Sequence, residues 1–175
     1  MRFIRFIAEY IRHPRRTGAV AQSSKGLAEK MAQGIDGSVN VIEFGGGTGS
    51  ITTEILRYLP ANGRLTCFEI NPKFCEYLEK INDPRLTVIN DYAQNCEKFV
   101  KNFDCIVSGL PLTVFPKEQR EEILRLSSKS KRYVQFQYNP FMQKQFGAYF
   151  KNVKIKFIPL NIPPAFVYVC TNFTK

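Results

Sequence analysis

The sequence has little of what several common protein classes require. Its 175 residues contain no apolar run near the roughly 20 residues that a membrane-spanning helix needs. The first residues lack the apolar core and the cleavage site of a secretory signal, so we expect a cytoplasmic protein. The only histidine is His13, which excludes a multi-histidine metal site. The five cysteines form no CxxC or other metal-ligand spacing, so we expect reduced thiols, Cys67 and Cys105 among them in the core, and no bound metal.

Acidic residues are absent from one whole region, because no Asp or Glu follows Glu122. The formal charge of +10 is therefore uneven: residues 1–31 carry +5, residues 32–128 carry −3 and residues 129–175 carry +8. Basic ends around a weakly acidic centre predict a core whose surface faces an anionic partner. That partner is nucleic acid or an anionic membrane, and charge alone does not choose between them.

Apolar runs alternate with helical patterns along the chain. Strands are predicted at 39–44, 64–69, 86–90, 103–109 and 132–138, and helices at 24–33, 50–59, 72–81, 93–101 and 117–130. The last two strands, 153–160 and 165–172, form an antiparallel hairpin at a sheet edge. The sequence therefore predicts an α/β, Rossmann-like fold with a seven-stranded, mostly parallel sheet and helices on both faces. We divide this single domain into an N-terminal helical segment, 1–34, and a ligand-binding part, 35–175.

A glycine-rich loop at residues 43–49, Glu-Phe-Gly-Gly-Gly-Thr-Gly, lies between the first strand and the next helix. Closely spaced glycines let the backbone turn tightly and approach a ligand above a helix N-terminus. The loop is not a P-loop, because no Lys-Ser/Thr follows its last glycine. Glu43 would repel a pyrophosphate and suits a cationic amino-acid group.

Two further carboxylates follow the next two predicted strands. Glu69 ends the second strand about 20 residues after the glycine loop, where a carboxylate can accept both hydroxyls of a ribose. Asp91 follows the third strand and can accept from an adenine amino group. Together with Glu43 they suit S-adenosylmethionine, which is positively charged and has no phosphate.

With these motifs the sequence resembles class I S-adenosylmethionine-dependent methyltransferases over residues 39–138. The loop 43–49 is similar to that of two families, the ribosomal RNA adenine dimethyltransferases and the soluble bacterial phosphatidylethanolamine N-methyltransferases. The second family is resembled more broadly, in segments 13–20, 107–112, 134–138 and 161–165. Gln22, where that family is expected to have proline, is similar to the RNA enzymes instead. Those enzymes also carry an aromatic residue where this chain has Leu112, and a C-terminal helical domain for which we expect no room here.

The resemblance implies methyl transfer to the amine of phosphatidylethanolamine or its methylated forms, a step of phosphatidylcholine biosynthesis, with S-adenosylhomocysteine as the second product. It implies cofactor contacts from Glu43, Gly45, Gly47, Gly49, Glu69, Asp91 and Gln22. On the acceptor side we predict Ser108, Leu110 and Pro111, at the end of the fourth strand, and Tyr138, after the fifth. We expect a monomer, peripherally bound to the inner face of an anionic membrane. The alternative is an RNA adenine N6-methyltransferase.

Two questions stay open at the level of sequence. Without a carboxylate after Glu122, the proton of the acceptor amine passes to Tyr138, to water or to the lipid phosphate, and Tyr138 is otherwise a plain strand-end residue. The amphipathic helix predicted at 2–12 is either a membrane anchor or a lid over the cofactor cleft. The aromatic-rich stretch 141–151 is a second predicted membrane contact.

Overall fold

The computed structural model describes the backbone of residues 18–161 and 163–172, and the side chains from residue 25 onward within those ranges. The predicted helix 2–12 and His13 lie outside the described residues, as does the side chain of Gln22. In the part of the chain that is described, no helix combines the length and the apolar composition needed to cross a membrane.

Helices and strands alternate along the described chain. In chain order they are α1 (Gly18–Ala32), β1 (Asn40–Phe44), α2 (Ser50–Tyr58), β2 (Arg64–Phe68), α3 (Pro72–Glu79), β3 (Leu86–Ile89), α4 (Cys96–Phe99), β4 (Cys105–Ser108), α5 (Lys117–Ser127), β5 (Arg132–Gln137), α6 (Gln143–Gly147), β6 (Asn152–Ile158) and β7 (Ala165–Thr171). Short 3₁₀ turns occupy Gln33–Ile35, Ala93–Asn95 and Leu112–Val114. Every predicted strand is present, with bounds that differ from the prediction by at most two residues.

The strands form one seven-stranded sheet in the order β3-β2-β1-β4-β5-β7-β6. β1 to β5 are parallel, and β7 pairs antiparallel with both β5 and β6. The predicted Rossmann-like fold with an antiparallel C-terminal hairpin is confirmed. The carboxyl ends of β1 to β5 therefore meet at one edge of the sheet, here called the carboxyl edge. Because β6 runs in the same direction as β5, the β6–β7 turn lies at the carboxyl edge as well.

The core lies on both faces of the sheet, as expected for parallel strands made of nearly continuous apolar runs. On one face, Leu27 and Met31 of α1 pack with Ile55 of α2. On the other, α5 and α6 bury Ile123 and Phe146. All five cysteines are free and buried, and the prediction that Cys67 and Cys105 lie in the core is confirmed.

Helix α1 starts earlier than predicted. It begins at Gly18 rather than at residue 24, where the sequence pattern places its start. Ser23 and Ser24 therefore lie inside the helix. Residues 19–21, Ala-Val-Ala, include two of the strongest helix formers and extend the helix toward the N-terminus.

Three of the large apolar side chains in the stretch 141–151 belong to the core rather than to a membrane-facing surface. Met142, Phe146 and Phe150 are buried, because their spacing of four residues places them on one face of a helical segment. Phe146 packs edge-on against Tyr168, with ring centroids 4.7 Å apart. The prediction that these rings contact a membrane is wrong for the buried residues, whereas Phe141 is 85% exposed.

Candidate active site

The glycine loop has a backbone conformation that favours glycine. The φ angles are +77° at Gly45, +54° at Gly47 and +84° at Gly49, a region in which other residues are strained. Gly45 N donates to the carbonyl of Phe68 at 2.8 Å, which fixes the loop to the end of β2. Gly49 is the N-terminal flanking residue of α2, so the loop passes directly above that helix.

Gly46 has a normal φ and is required for a different reason, close packing. A Cβ atom at this position would overlap the Sγ of Cys67 and lie 2.8 Å from Cδ1 of Leu78. The loop is therefore pressed against β2 and α3, and this contact holds its other glycines over the carboxyl edge.

Glu43 is a fully buried carboxyl group beneath the glycine loop. Its Oε2 accepts a hydrogen bond from the hydroxyl of Thr52 at 2.7 Å, while its buried Oε1 has no partner among the described residues. Burial raises the pKa of Glu43 to about 7, against the opposing effect of the Thr52 hydrogen bond. The group can therefore change its charge near neutral pH.

Glu69 follows β2 and is also buried. Its Oε2 accepts from Gly47 N at 2.9 Å and its Oε1 from Asn71 N at 2.8 Å. A carboxylate has about four acceptor positions, so two remain for further donors. Glu69 thus fixes the glycine loop and keeps the capacity to accept from a pair of hydroxyls.

Asp91 lies just beyond β3 and is half-buried. Its Oδ1 accepts from Asn95 Nδ2 at 2.8 Å and from Tyr92 N at 2.7 Å. These bonds, that of the Asn95 side chain above all, lower the pKa of Asp91. The carboxylate therefore remains ionised at neutral pH and able to accept from an amino group.

The loop after β4 meets the glycine loop. Gly109 N donates to the carbonyl of Phe44 at 2.8 Å, and a Cβ on Gly109 would lie 2.9 Å from the carbonyl oxygen of Gly45. Ser108 is buried and its Oγ accepts from Leu110 N at 3.3 Å. The structure thus brings the predicted acceptor-side residues 108–111 next to the predicted cofactor-side glycines.

Two buried glutamines of β5 adjoin predicted site residues and were not predicted: Gln135 contacts Leu110, and Gln137 directly precedes Tyr138. Gln135 Nε2 donates to the carbonyl of Leu110 at 3.0 Å, and its Oε1 accepts from the hydroxyl of Tyr133 at 2.6 Å. Gln137 is 3% exposed, and its Nε2 has no hydrogen-bond partner among the described residues. The signal was present in the sequence: two amides at alternate positions of an otherwise apolar strand point to the same face.

Tyr138 directly follows β5 and is half-buried. Its ring packs edge-on against Phe136, with centroids 5.5 Å apart. From Asp91 at β3 to Tyr138 at β5, the predicted residues whose side chains are described lie along five adjacent strands. At about 4.8 Å per strand they span about 19 Å of the carboxyl edge. Gln22 lies in α1, and its predicted cofactor contact stays a prediction.

Two structural observations support a fit between these residues and S-adenosylmethionine. The glycine loop leaves backbone surface without side chains, and the unpartnered Oε1 of Glu43 lies beneath it. The loop 43–49 contains no Lys or Arg that a phosphate would require. Among the described residues, no group of three or more His, Cys, Asp or Glu side chains is placed to hold a metal ion.

Known proteins are similar to this chain in sequence and in fold. Residues 41–130, about half of the chain, match the methyltransferase domain family. The ornithine lipid N-methyltransferase of Singulisphaera acidiphila is 27% identical, over 96% of this chain and 95% of that protein. A precorrin-6y C5,15-methyltransferase from Geobacter metallireducens superposes with a TM-score of 0.65 at 14% identity, over 85% of this chain and 87% of its own.

A spermidine synthase superposes with the same TM-score of 0.65 at 15% identity, over 85% of this chain. The chain spans only 61% of that enzyme, which is less than two thirds. At these identities the solved structures show a common fold. The family match confirms the resemblance to S-adenosylmethionine-dependent methyltransferases that the glycine loop and its carboxylates predicted. The chain therefore belongs to the methyltransferase domain family and takes S-adenosylmethionine as its methyl donor.

Proposed function

We propose that the chain methylates the amine of a membrane lipid, phosphatidylethanolamine or its methylated forms, at the membrane surface. The observation that carries this proposal is the similarity to a lipid N-methyltransferase over nearly the full length of both chains. The excess of positive charge after residue 128 supports it, because an anionic lipid surface attracts such a region.

On the cofactor side, the chain supplies carboxylates and backbone rather than cations. S-adenosylmethionine, when bound, supplies an electrophilic methyl group on a sulfonium. Glu69 has acceptor positions for the ribose hydroxyls, and Asp91 for the adenine amino group. Gly45, Gly47 and Gly49 let the backbone approach the ligand, and Glu43 places a titratable carboxyl group beneath them.

On the acceptor side, the chain positions and desolvates an amine. The carbonyl oxygen of Leu110 accepts from Gln135 Nε2 at 3.0 Å and from Leu112 N at 2.9 Å, which fixes the loop that orients the amine. Much of the rate enhancement then comes from holding the unprotonated amine in line with the methyl carbon. Pro111 stiffens the loop, and Ser108 supports it from within. The amine's proton leaves to Tyr138, to water or to the lipid phosphate.

One observation disfavours RNA as the acceptor. Leu112 occupies the position where the RNA adenine dimethyltransferases carry an aromatic residue, and here its side chain is 0% exposed, within the core. A base flipped out of its stack is held between exposed aromatic or apolar side chains. The described residues of this loop offer none at that position.

The test uses the purified full chain with a methyl-labelled donor and three acceptors. These are phosphatidylethanolamine in detergent micelles, ornithine lipid in the same micelles, and ribosomal RNA. We expect label in mono-, di- or trimethylated phosphatidylethanolamine on thin-layer chromatography. Glu69→Gln, which keeps the size of the side chain and loses its charge, is the control and should transfer no label.

The same lipids can be followed in a bacterial host that lacks phosphatidylcholine. New methylated phosphatidylethanolamines in that host support the proposal. Label confined to ornithine lipid would show that phosphatidylethanolamine is not the acceptor and that ornithine lipid is. Label confined to RNA would overturn the proposal.

A further inference from the structure

Three large apolar side chains stand exposed at the carboxyl edge, beyond the strands that carry the candidate site. Leu160 is 86% exposed, Phe141 85% and Phe157 56%. Phe141 follows β5 by four residues, Phe157 is the penultimate residue of β6, and Leu160 lies in the β6–β7 turn. Solvent-exposed apolar groups of this size, gathered at one edge, are typical of an interaction surface.

Their position relative to the site follows from the register of the sheet. Gln137 of β5 pairs with Phe166 of β7, which in turn pairs with Phe157 of β6. At about 4.8 Å per strand, Phe157 lies about 10 Å from the end of β5, where Tyr138 begins the acceptor side. The hydroxyl of Tyr168 donates to the carbonyl of Asn139 at 2.9 Å, which fixes the segment before Phe141 to β7.

Two exposed lysines flank these apolar groups. Lys144 is in α6, three residues after Phe141, and Lys156 precedes Phe157 in β6, where its side chain lies on the opposite face of the sheet. The ion pairs found among the described residues engage other basic groups of this region, Lys129, Lys131 and Arg132, and neither of these two lysines. With no acid after Glu122, nothing nearby in sequence neutralises them.

We propose that Phe141, Lys144, Lys156, Phe157 and Leu160, here called the edge patch, dock the protein on an anionic phospholipid bilayer. The apolar side chains enter the boundary between headgroups and acyl chains, and the lysine ammonium groups approach lipid phosphates. Docked in this way, the carboxyl edge faces the membrane and the acceptor side opens toward the headgroups. This inference rests on the proposed function only for the identity of the lipid that is methylated. Binding of the edge patch to the bilayer is a separate property, and it can be measured without methyl transfer.

The edge patch can be tested by flotation of the full chain with vesicles made of equal parts of phosphatidylcholine and phosphatidylglycerol. The test variant is Phe141→Ser with Leu160→Ser, two positions so exposed that the fold does not depend on them. The matched control is Tyr77→Ser with Phe99→Ser, side chains 46% and 52% exposed on α3 and α4. A second variant, Lys144→Gln with Lys156→Gln, tests the charge.

We expect the first variant to need at least about tenfold more lipid for half-maximal flotation, with unchanged thermal unfolding, while the control floats like wild type. The lysine variant should lose the preference for phosphatidylglycerol over pure phosphatidylcholine vesicles. Wild-type flotation of the Phe141/Leu160 variant would overturn the inference. Unchanged flotation combined with lost binding of a single-stranded RNA would assign the surface to RNA instead.

Methylation measured in parallel separates the two proposals. The Phe141/Leu160 variant should methylate lipid dispersed in detergent at the wild-type rate and lipid in vesicles at least about tenfold more slowly. If wild type methylates neither form, the proposed acceptor is wrong while the flotation result still decides the edge patch.

Discussion

Glu43, beneath the glycine loop, makes the stability of the folded protein depend on pH. Its pKa is raised from 4.5 to about 7 because the buried carboxylate loses its hydration. The folded protein therefore holds this proton more tightly than the unfolded chain does. The stabilisation from this group is complete below about pH 4.5 and is lost as the pH rises to about 7. At pH 8 the folded protein carries the full cost of a buried charge.

Glu43→Gln should remove that cost. We expect the variant to be more stable than wild type by about 3 kcal/mol at pH 8, and to differ little from it at pH 4.5. Urea unfolding of both proteins, without cofactor, at the two pH values measures the difference. Equal stability at pH 8 would show that Glu43 is not desolvated in the folded protein. The variant should also bind S-adenosylmethionine more weakly in calorimetry.

Gln137 has a buried amide nitrogen without a partner, a feature that usually reduces stability. Gln137→Leu should therefore raise the free energy of unfolding by about 1 kcal/mol. If the amide binds the acceptor, the same change should lower kcat/KM for methyl transfer with little effect on cofactor affinity. Gln135→Leu is the contrasting variant, because it breaks the bonds to Leu110 and Tyr133 and should lose stability. A Gln137→Leu protein that is less stable than wild type contradicts the prediction.

Tyr138 offers both a ring and a hydroxyl to the acceptor. A ring beside a methylated ammonium stabilises it by cation–π attraction, whereas the hydroxyl can only assist the departing proton. We expect Tyr138→Phe to keep most of the activity and Tyr138→Ala to lower kcat/KM at least about tenfold. A large loss in Tyr138→Phe, with a shifted pH–rate profile, would instead assign the proton to the hydroxyl.

At the scale of elements, the contact between the glycine loop, β2 and α3 leaves no space at Gly46. Gly46→Ala should cost about 1–3 kcal/mol of stability, because the Cys67 thiol and the Leu78 side chain have to move. Gly26 of α1 is the matched control, since nothing lies within 4 Å of a Cβ there. Gly26→Ala should gain up to about 1 kcal/mol. Thermal unfolding checks both, and equal shifts of the two variants would contradict the packing argument.

The elements were predictable where a local pattern decides them. Each strand is an apolar run between turn residues. The order of strands and helices then determines that the carboxylates at the ends of β1, β2 and β3 share one edge. Helix α6 was missed, although the four-residue spacing of Met142, Phe146 and Phe150 is helical. In that stretch, aromatic composition and the neighbouring lysines suggested a surface instead.

The support of Leu110 by Gln135 could not be predicted in the same way. It depends on the pairing of Ser108 with Gln135, a register between two strands that are separated by a helix. Register follows from how the two strands pack in three dimensions, and no short-range sequence signal specifies it. The raised pKa of Glu43 could not be predicted from the sequence either, because it depends on complete burial of the side chain in the assembled core.

At the scale of the whole molecule, the positive charge has two candidate membrane contacts, the edge patch and residues 1–16. The latter lie outside the described residues, and their sequence has five arginines. Removing residues 1–16 should leave S-adenosylmethionine binding nearly intact and weaken vesicle flotation most at low salt, because each basic residue contributes about 1 kcal/mol near an anionic surface. If the truncated protein floats like the full chain, the edge patch alone makes the membrane contact. If the truncated protein loses its cofactor faster, residues 1–16 act as a lid over the cofactor cleft.

Because its thiols are buried, the folded molecule reacts slowly with thiol-directed reagents. Cys67, Cys75, Cys96, Cys105 and Cys170 are distributed over β2, α3, α4, β4 and β7, and burial raises the pKa of every one of them. The thiolate is the form that reacts, so an alkylating reagent acts on each cysteine only when its surroundings open. Opening free energies range from near zero in fraying segments to the global value in a core. The alkylation rate of each cysteine, measured peptide by peptide, therefore reports how often the element that contains it unfolds. Comparing the five rates shows whether the two halves of the sheet unfold independently or together.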